Sequence, residues 1–201
     1  MEWLLQSVSS FVSINHVAAQ HSQCYAAWYS NCPGLKVLAP YNSEDAKCML
    51  KAAIRDDNPV VFLEHELMYG EAFPMSEEVL NPDYVYEIGK AKIEKEGDDV
   101  TLVSFSRGVG RCLEAAKELE KEGVHAEVIN LRTIRPMDRE AIVNSVKKTN
   151  HIVTVEEGWP QNGIGAEIAA LCMESECLMC SFIYSGCFQL SGCSFGTYYW
   201  S

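Results

Sequence analysis

The sequence predicts an α/β protein built largely on parallel strands, and three observations lead there. Short apolar, β-rich runs alternate with helix patterns whose apolar residues recur at i, i+3, i+4 and i+7. Each helix pattern closes at a breaker, proline after 56–58 and glycine at Gly123. Hydrophobic residues make up 48% of the 201 positions, enough to bury a core.

Taken in order, LKVLAP (35–40) reads as a buried strand. Ser43 is placed to cap a helix in which Ala46, Met49, Leu50, Ala53 and Ile54 form one apolar stripe. Asp56, Asp57, Asn58 and Pro59 stop it, and VVFLEH (60–65) is again strand, completing a βαβ unit. Gly70 to Asp83, with two prolines and no sustained period, reads as a connector between subdomains. Beyond it, VTLVSF (100–105) is a strand and Arg111–Glu122 a helix with Leu113, Ala116 and Leu119 inward. EVINL (127–131), a helix from Asp138 to Lys148 presenting Ile142 and Val146, and HIVTV (151–155) follow. A last helix near Gly163–Glu174 places Ile164, Ile168, Leu171 and Cys172 on one face. Three strand–helix pairs in succession imply an open parallel sheet.

Charge narrows the function classes. The net charge of -12 repels phosphate backbones and anionic lipid, which argues against nucleic acid and membrane-surface binding. All charges but that of Glu2 lie between Lys36 and Glu176. The uncharged stretch after Cys177 is broken by serine, glycine and glutamine, so it does not read as a span. No targeting signal is legible at the N-terminus. The nine cysteines are mostly scattered; only Cys177 and Cys180 have a metal-like gap, and no histidine follows them. An odd count without a signal peptide fits a reducing compartment.

Several stretches carry candidate chemistry. Ser106-Arg107-Gly108-Val109-Gly110 sits between strand and helix as a dinucleotide loop would, but position 113 is leucine where the third glycine belongs. A tight strand-to-helix turn is the better reading. His21, flanked by Gln20, Ser22 and Gln23, precedes an aromatic helix with Tyr25, Trp28 and Tyr29; a helix N-terminus favours its neutral form. On spacing alone, a capped surface histidine is the simpler assignment. At the end of the first helix, carbonyls of Ala53, Ile54 and Asp56 with the side-chain oxygen of Asn58 could surround a monovalent cation. An ordinary helix stop is again simpler. Glu64 and Glu66 bracket His65 at strand spacing, and His65, His125 and His151 read as structural.

The strings VAAQHSQCYAAWYSNCPGLKVLAPYNSEDAK, AAIRDDNPVVFLEHELMYG, IGKAKIEKEGDDVTLVS, EVINLRTIRPMD and TVEEGWPQNGIGAEI resemble the beta subunits of mitochondrial-type pyruvate dehydrogenase, a thiamine-diphosphate-dependent, transketolase-like family. The resemblance runs from Val17 to Glu174. ELMYG and RTIRPMD favour the pyruvate enzymes over their branched-chain 2-oxoacid relatives. It implies the C-terminal part of a pyrimidine-binding domain at 17–69, a linker at 70–88 and a transketolase C-terminal-like domain at 89–176. Residues 1–16 and the cysteine-rich tail 177–201 match nothing in the family.

The resemblance further implies an α2β2 assembly in the mitochondrial matrix. There pyruvate is decarboxylated oxidatively and its two-carbon fragment passes to a lipoyl group of the acyltransferase core. His21 matches the family's active-site histidine, and Ala53, Ile54, Asp56 and Asn58 match its potassium site, so the resemblance overrides both simpler assignments. Thiamine diphosphate is shared with the α subunit, which holds the magnesium. The family's cofactor-activating glutamate and one further potassium ligand lie upstream of the matched region, and its core-docking segment lies beyond it. No cofactor-contacting residue is therefore assigned, and the chain alone is expected to be inactive. His65 stands where the family more usually carries asparagine. A non-catalytic assembly module and a branched-chain component are the alternatives.

Overall fold

The computed structural model describes residues 6–9, 23–175 and 181–185. In chain order the first half contains β1 (Gln6–Ser9), α1 (Ala26–Ser30), β2 (Lys36–Leu38), α2 (Ser43–Arg55), β3 (Val60–Glu64), a 3-10 turn at Glu66–Met68 and α3 (Glu77–Leu80). The second half contains β4 (Lys92–Lys95), β5 (Val100–Ser104), α4 (Arg107–Lys121), β6 (Ala126–Asn130), β7 (Thr133–Arg135), α5 (Arg139–Thr149), β8 (His151–Val155), α6 (Ile164–Glu174) and β9 (Ser181–Ser185).

Two sheets result. The first has the order β1-β3-β2-β7, with β1, β3 and β2 parallel and β7 antiparallel to β2. The second runs β4-β6-β5-β8-β9, parallel except for β4. The expected βαβ unit of β2, α2 and β3 is present. In the second sheet β5 is flanked by β6 on one side and β8 on the other, so successive crossovers leave opposite faces. Side chains of β5 show the division. Leu102 packs with Val109, Cys112 and Ala116 of α4. Its neighbour Val103 packs with Ile142 and Val146 of α5 and with Ile164, Ile168 and Leu171 of α6.

That second cluster also takes in Val37, Ala39, Val61 and Leu63 of the first half. One apolar core thus spans both sheets. An ion pair reinforces the joint: Asp45 of α2, fully buried, accepts from Arg132 Nε at 2.7 Å. Arg132 adopts a φ of 57° and lays its guanidinium 3.9 Å from the centroid of Tyr86.

The structure corrects several expectations. Asn42, not Ser43, caps α2, its Oδ1 accepting from Asp45 N at 2.8 Å. The buried stripe of α2 is Asp45, Cys48, Met49 and Ala53, while Ile54 is 66% exposed. The buried Asp45–Arg132 pair draws that face inward and turns Ile54 out. Helix α4 begins at Arg107, one turn before the expected Arg111, and Gly108 in that added turn lies so close to β5 that a Cβ would come 2.2 Å from Ser104 Oγ. The loop read from sequence as a tight turn is therefore the first turn of the helix. The connector holds α3, and β4 and β7 were not legible as strands. Residues after Glu176, which had no assigned element, supply β9, paired in parallel with β8 from His151↔Ser181 to Val155↔Ser185. Cys177 and Cys180 lie outside the described residues.

Candidate active-site region at the junction of the sheets

The carboxyl ends of parallel strands are where α/β proteins collect functional side chains, because the helices that follow leave a crevice there. Here β3 ends at Glu64-His65 and β8 at Val155-Glu156-Glu157, and these ends meet. His65 Nε2 lies 2.9 Å from Glu157 Oε2, and His65 Nδ1 accepts from Leu67 N at 3.2 Å. With Nδ1 an acceptor, Nε2 carries the proton and donates to the carboxylate. Arg111 Nη2 of α4 stands 3.0 Å from Glu157 Oε1, an ionic contact rather than a directed hydrogen bond. Burial lowers the His65 pKa; Glu157 opposes this, while Arg107 and Arg111 add to it. His65 read as structural because no carboxylate or cysteine stood at ligand spacing from it; its partner comes from the loop that leaves β8.

Glu156 does different work. It is 4% exposed, and its two oxygens accept from Ile164 N and Gly165 N, each at 3.0 Å, at the N-terminus of α6. A carboxylate there satisfies two helix-end donors and meets the positive end of the dipole. Gly163 leaves room for it, since a Cβ would come 2.4 Å from Glu156 Oε1. Below this loop lies Cys24, whose thiol pKa is pushed up to about 11, chiefly by burial, with Glu156 and Glu157 adding. Such a thiol stays protonated near neutral pH and is no nucleophile.

Between α1 and α6 opens a cleft of 1130 Å³ bordered by Trp28, Arg135, Arg139, Trp159 and Glu167. Trp28 and Trp159 are 70% and 86% exposed. The aromatic helix expected after His21 is present as α1, with Tyr25 and Trp28 edge to face at 5.4 Å. His21 itself lies outside the described residues.

The cation candidates sit elsewhere. Ala53 and Ile54 are in the last turn of α2, and Asp56 and Asn58 precede β3, so the group lies at the opposite end of that strand from His65. Asp56 Oδ2 pairs with Lys36 Nζ at 2.5 Å, and Asp56 Oδ1 accepts from Asn58 N and Nδ2, each at 2.9 Å. Despite burial, these contacts hold the Asp56 pKa below its usual value. Ala53 O receives only a 3.3 Å bond from Asp56 N. Glu64 and Glu66 do not act as a pair: Glu64 Oε2 accepts from Tyr69 Oη at 2.9 Å, and Glu66 opens the 3-10 turn. Among the described residues no cluster of three His, Cys, Asp or Glu side chains could hold a metal, and no helix is long and apolar enough to cross a membrane.

Two family models match the chain in succession. Residues 8–71 match the pyrimidine-binding domain of transketolase, and residues 89–182 match the transketolase C-terminal domain. Through these two domains the chain belongs to the transketolase-like family. Within it, the chain is 67% identical over 158 residues to the mitochondrial pyruvate dehydrogenase E1 component subunit beta of Rattus norvegicus, covering 79% of this chain and 44% of that protein. The namesake from Caenorhabditis elegans is 66% identical over 160 residues, covering 80% of this chain and 46% of that protein. The chain thus spans less than half the length of these curated relatives. A solved structure described as a split-gene transketolase, inactive beta4 tetramer, superposes with a TM-score of 0.71 at 30% identity, over 84% of this chain and 53% of that one.

Proposed function

We propose that the chain serves as the beta-type subunit of a pyruvate dehydrogenase, in the oxidative decarboxylation of pyruvate with acetyl transfer to a lipoyl group. The single observation that carries this reading is the 67% identity to a pyruvate dehydrogenase beta subunit through both matched domains. Thiamine diphosphate, shared with an α-type partner in an α2β2 assembly, supplies the carbanion chemistry when bound. No described residue of this chain is assigned to it. The chain's own contribution at the reaction is His21, which would contact the substrate side and assist transfer to the lipoyl group. The domains are taken as 17–69 and 89–176, joined by 70–88, and the mitochondrial names of the relatives support a matrix location.

The decisive experiment adds purified α-type subunit and measures pyruvate-dependent acetylation of a free lipoyl domain. Turnover above that of the α-type subunit alone is expected. Co-purification of the two chains without turnover would instead favour a non-catalytic assembly module. Preference for branched-chain 2-oxoacids would move the assignment to that relative.

Potassium is the second element of the reading. The carbonyls of Ala53, Ile54 and Asp56 and the side-chain oxygen of Asn58 are hard donors at a helix C-terminus, which suits a monovalent cation. The Asn58 amide nitrogen is engaged by Asp56, which leaves its oxygen available. Replacing sodium by potassium at equal ionic strength is expected to raise the thermal midpoint by about 3–6 °C at concentrations near tenfold above Kd. Asn58→Ala should abolish the difference, as read by calorimetry. An equal rise in both salts would remove the site.

A further inference from the structure

Glu157 joins parts of the fold that are distant in sequence. It faces His65 from β3 at 2.9 Å and Arg111 from α4 at 3.0 Å, while belonging to the loop that leaves β8. On either side of it the loop is committed. Glu156 holds the N-terminus of α6, and Gly158 lies against Cys24, where a Cβ would come 3.2 Å from Sγ. The loop cannot shift without breaking one of these contacts. The His65 and Glu157 side chains are 2% and 11% exposed, so water does not readily take the place of their bond.

We propose that Glu157 is a positioning residue, a latch that ties the Glu156–Gly158 loop to β3 and α4 and so holds Cys24 and the segment before α1 against the second sheet. The latch stands on this geometry alone. Its consequence for turnover rests on the reading of His21 given above, which precedes Cys24 by three positions. The charged and titratable groups around His65 are Glu157 from the β8 loop, Arg107 and Arg111 from α4, and its own neighbours Glu64 and Glu66.

Two substitutions of His65 separate the latch from local structure. His65→Asn keeps an acceptor for Leu67 N but is too short to reach Glu157. His65→Gln carries an amide N–H near the position of Nε2. The readout is alkylation of Cys24 by iodoacetamide in the full chain, resolved at that residue by mass spectrometry. The deeply buried Cys112 reports any global unfolding. Glu157→Ala and His65→Asn are expected to speed Cys24 alkylation several-fold with Cys112 unchanged, and His65→Gln to restore the slow rate. Equal Cys24 rates in all four chains would overturn the latch, as would a faster Cys112 in step with Cys24. Should Glu157→Ala not fold, nitrogen NMR of the unaltered chain decides: the latch requires the neutral His65 ring to be the Nε2–H tautomer. An Nδ1–H tautomer refutes it. None of these outcomes depends on pyruvate turnover, so a failed reaction assignment and a failed latch are told apart.

Discussion

Replacing Asp45 by alanine is expected to destabilise the chain by about 3–5 kcal/mol, seen as a lower urea midpoint at unchanged slope. The carboxylate is fully buried and holds three donors: Arg132 Nε at 2.7 Å, Asn130 Nδ2 at 2.8 Å and Tyr41 N at 3.2 Å. Its loss strands the guanidinium of Arg132, whose side chain is 11% exposed and whose backbone is held at a φ of 57°. The cost is that of an uncompensated buried cation rather than of one missing hydrogen bond. The double replacement Asp45→Leu with Arg132→Met removes both charges together and should recover much of the loss. A single Asp45→Ala change costing under about 1 kcal/mol would show that water reaches Arg132 freely.

Glu156→Ala is the second large effect, and it falls on the wall of the cleft. Each of the two N–H groups at Ile164 and Gly165 would lose its buried acceptor, costing about 1–3 kcal/mol apiece. The helix dipole loses its compensating charge as well, a further term of about 0.3–1 kcal/mol. Hydrogen exchange should report the damage locally, with amides in the first turn of α6 losing protection while those of β5 and β6 keep theirs. Glu156→Gln retains one acceptor oxygen and should fall between. Gly163→Ala approaches the same defect from the other side, because the new methyl displaces the carboxylate. Unchanged exchange in α6 after Glu156→Ala would mean that the carboxylate is not the cap.

Much of this fold is written in local pattern. The strands β2, β3, β5, β6 and β8 are short runs rich in β-branched residues between helix patterns, and their positions follow from that local composition. Strand β4 is missed because KIEK carries three charges at a sheet edge, where burial does not shape the sequence. Strand β7 has three residues and owes its existence to β2, not to its own pattern. The site divides similarly. His21 and the 53–58 turn were marked by the resemblance, and on spacing alone each had a plainer explanation. The contacts of Glu157 with His65, and of Asp45 with Arg132, join residues far apart in sequence, and no local period encodes them. Two acidic residues directly after an apolar strand, at Glu156-Glu157, were the available signal.

The antiparallel pairing of β7 with β2 makes the second half of the chain a structural part of the first sheet. Without it, β2 would present a free row of backbone donors and acceptors, the template on which other chains add. Division at the 70–88 connector would therefore yield a first piece with a sticky margin rather than an autonomous module. The pairing also joins residues nearly half the chain apart, Leu38 with Thr133, so the first sheet is complete only after most of the polypeptide has been made. Such long-range closure is slow. During synthesis the unfinished edge is exposed for that whole interval, when a chaperone would be of most use.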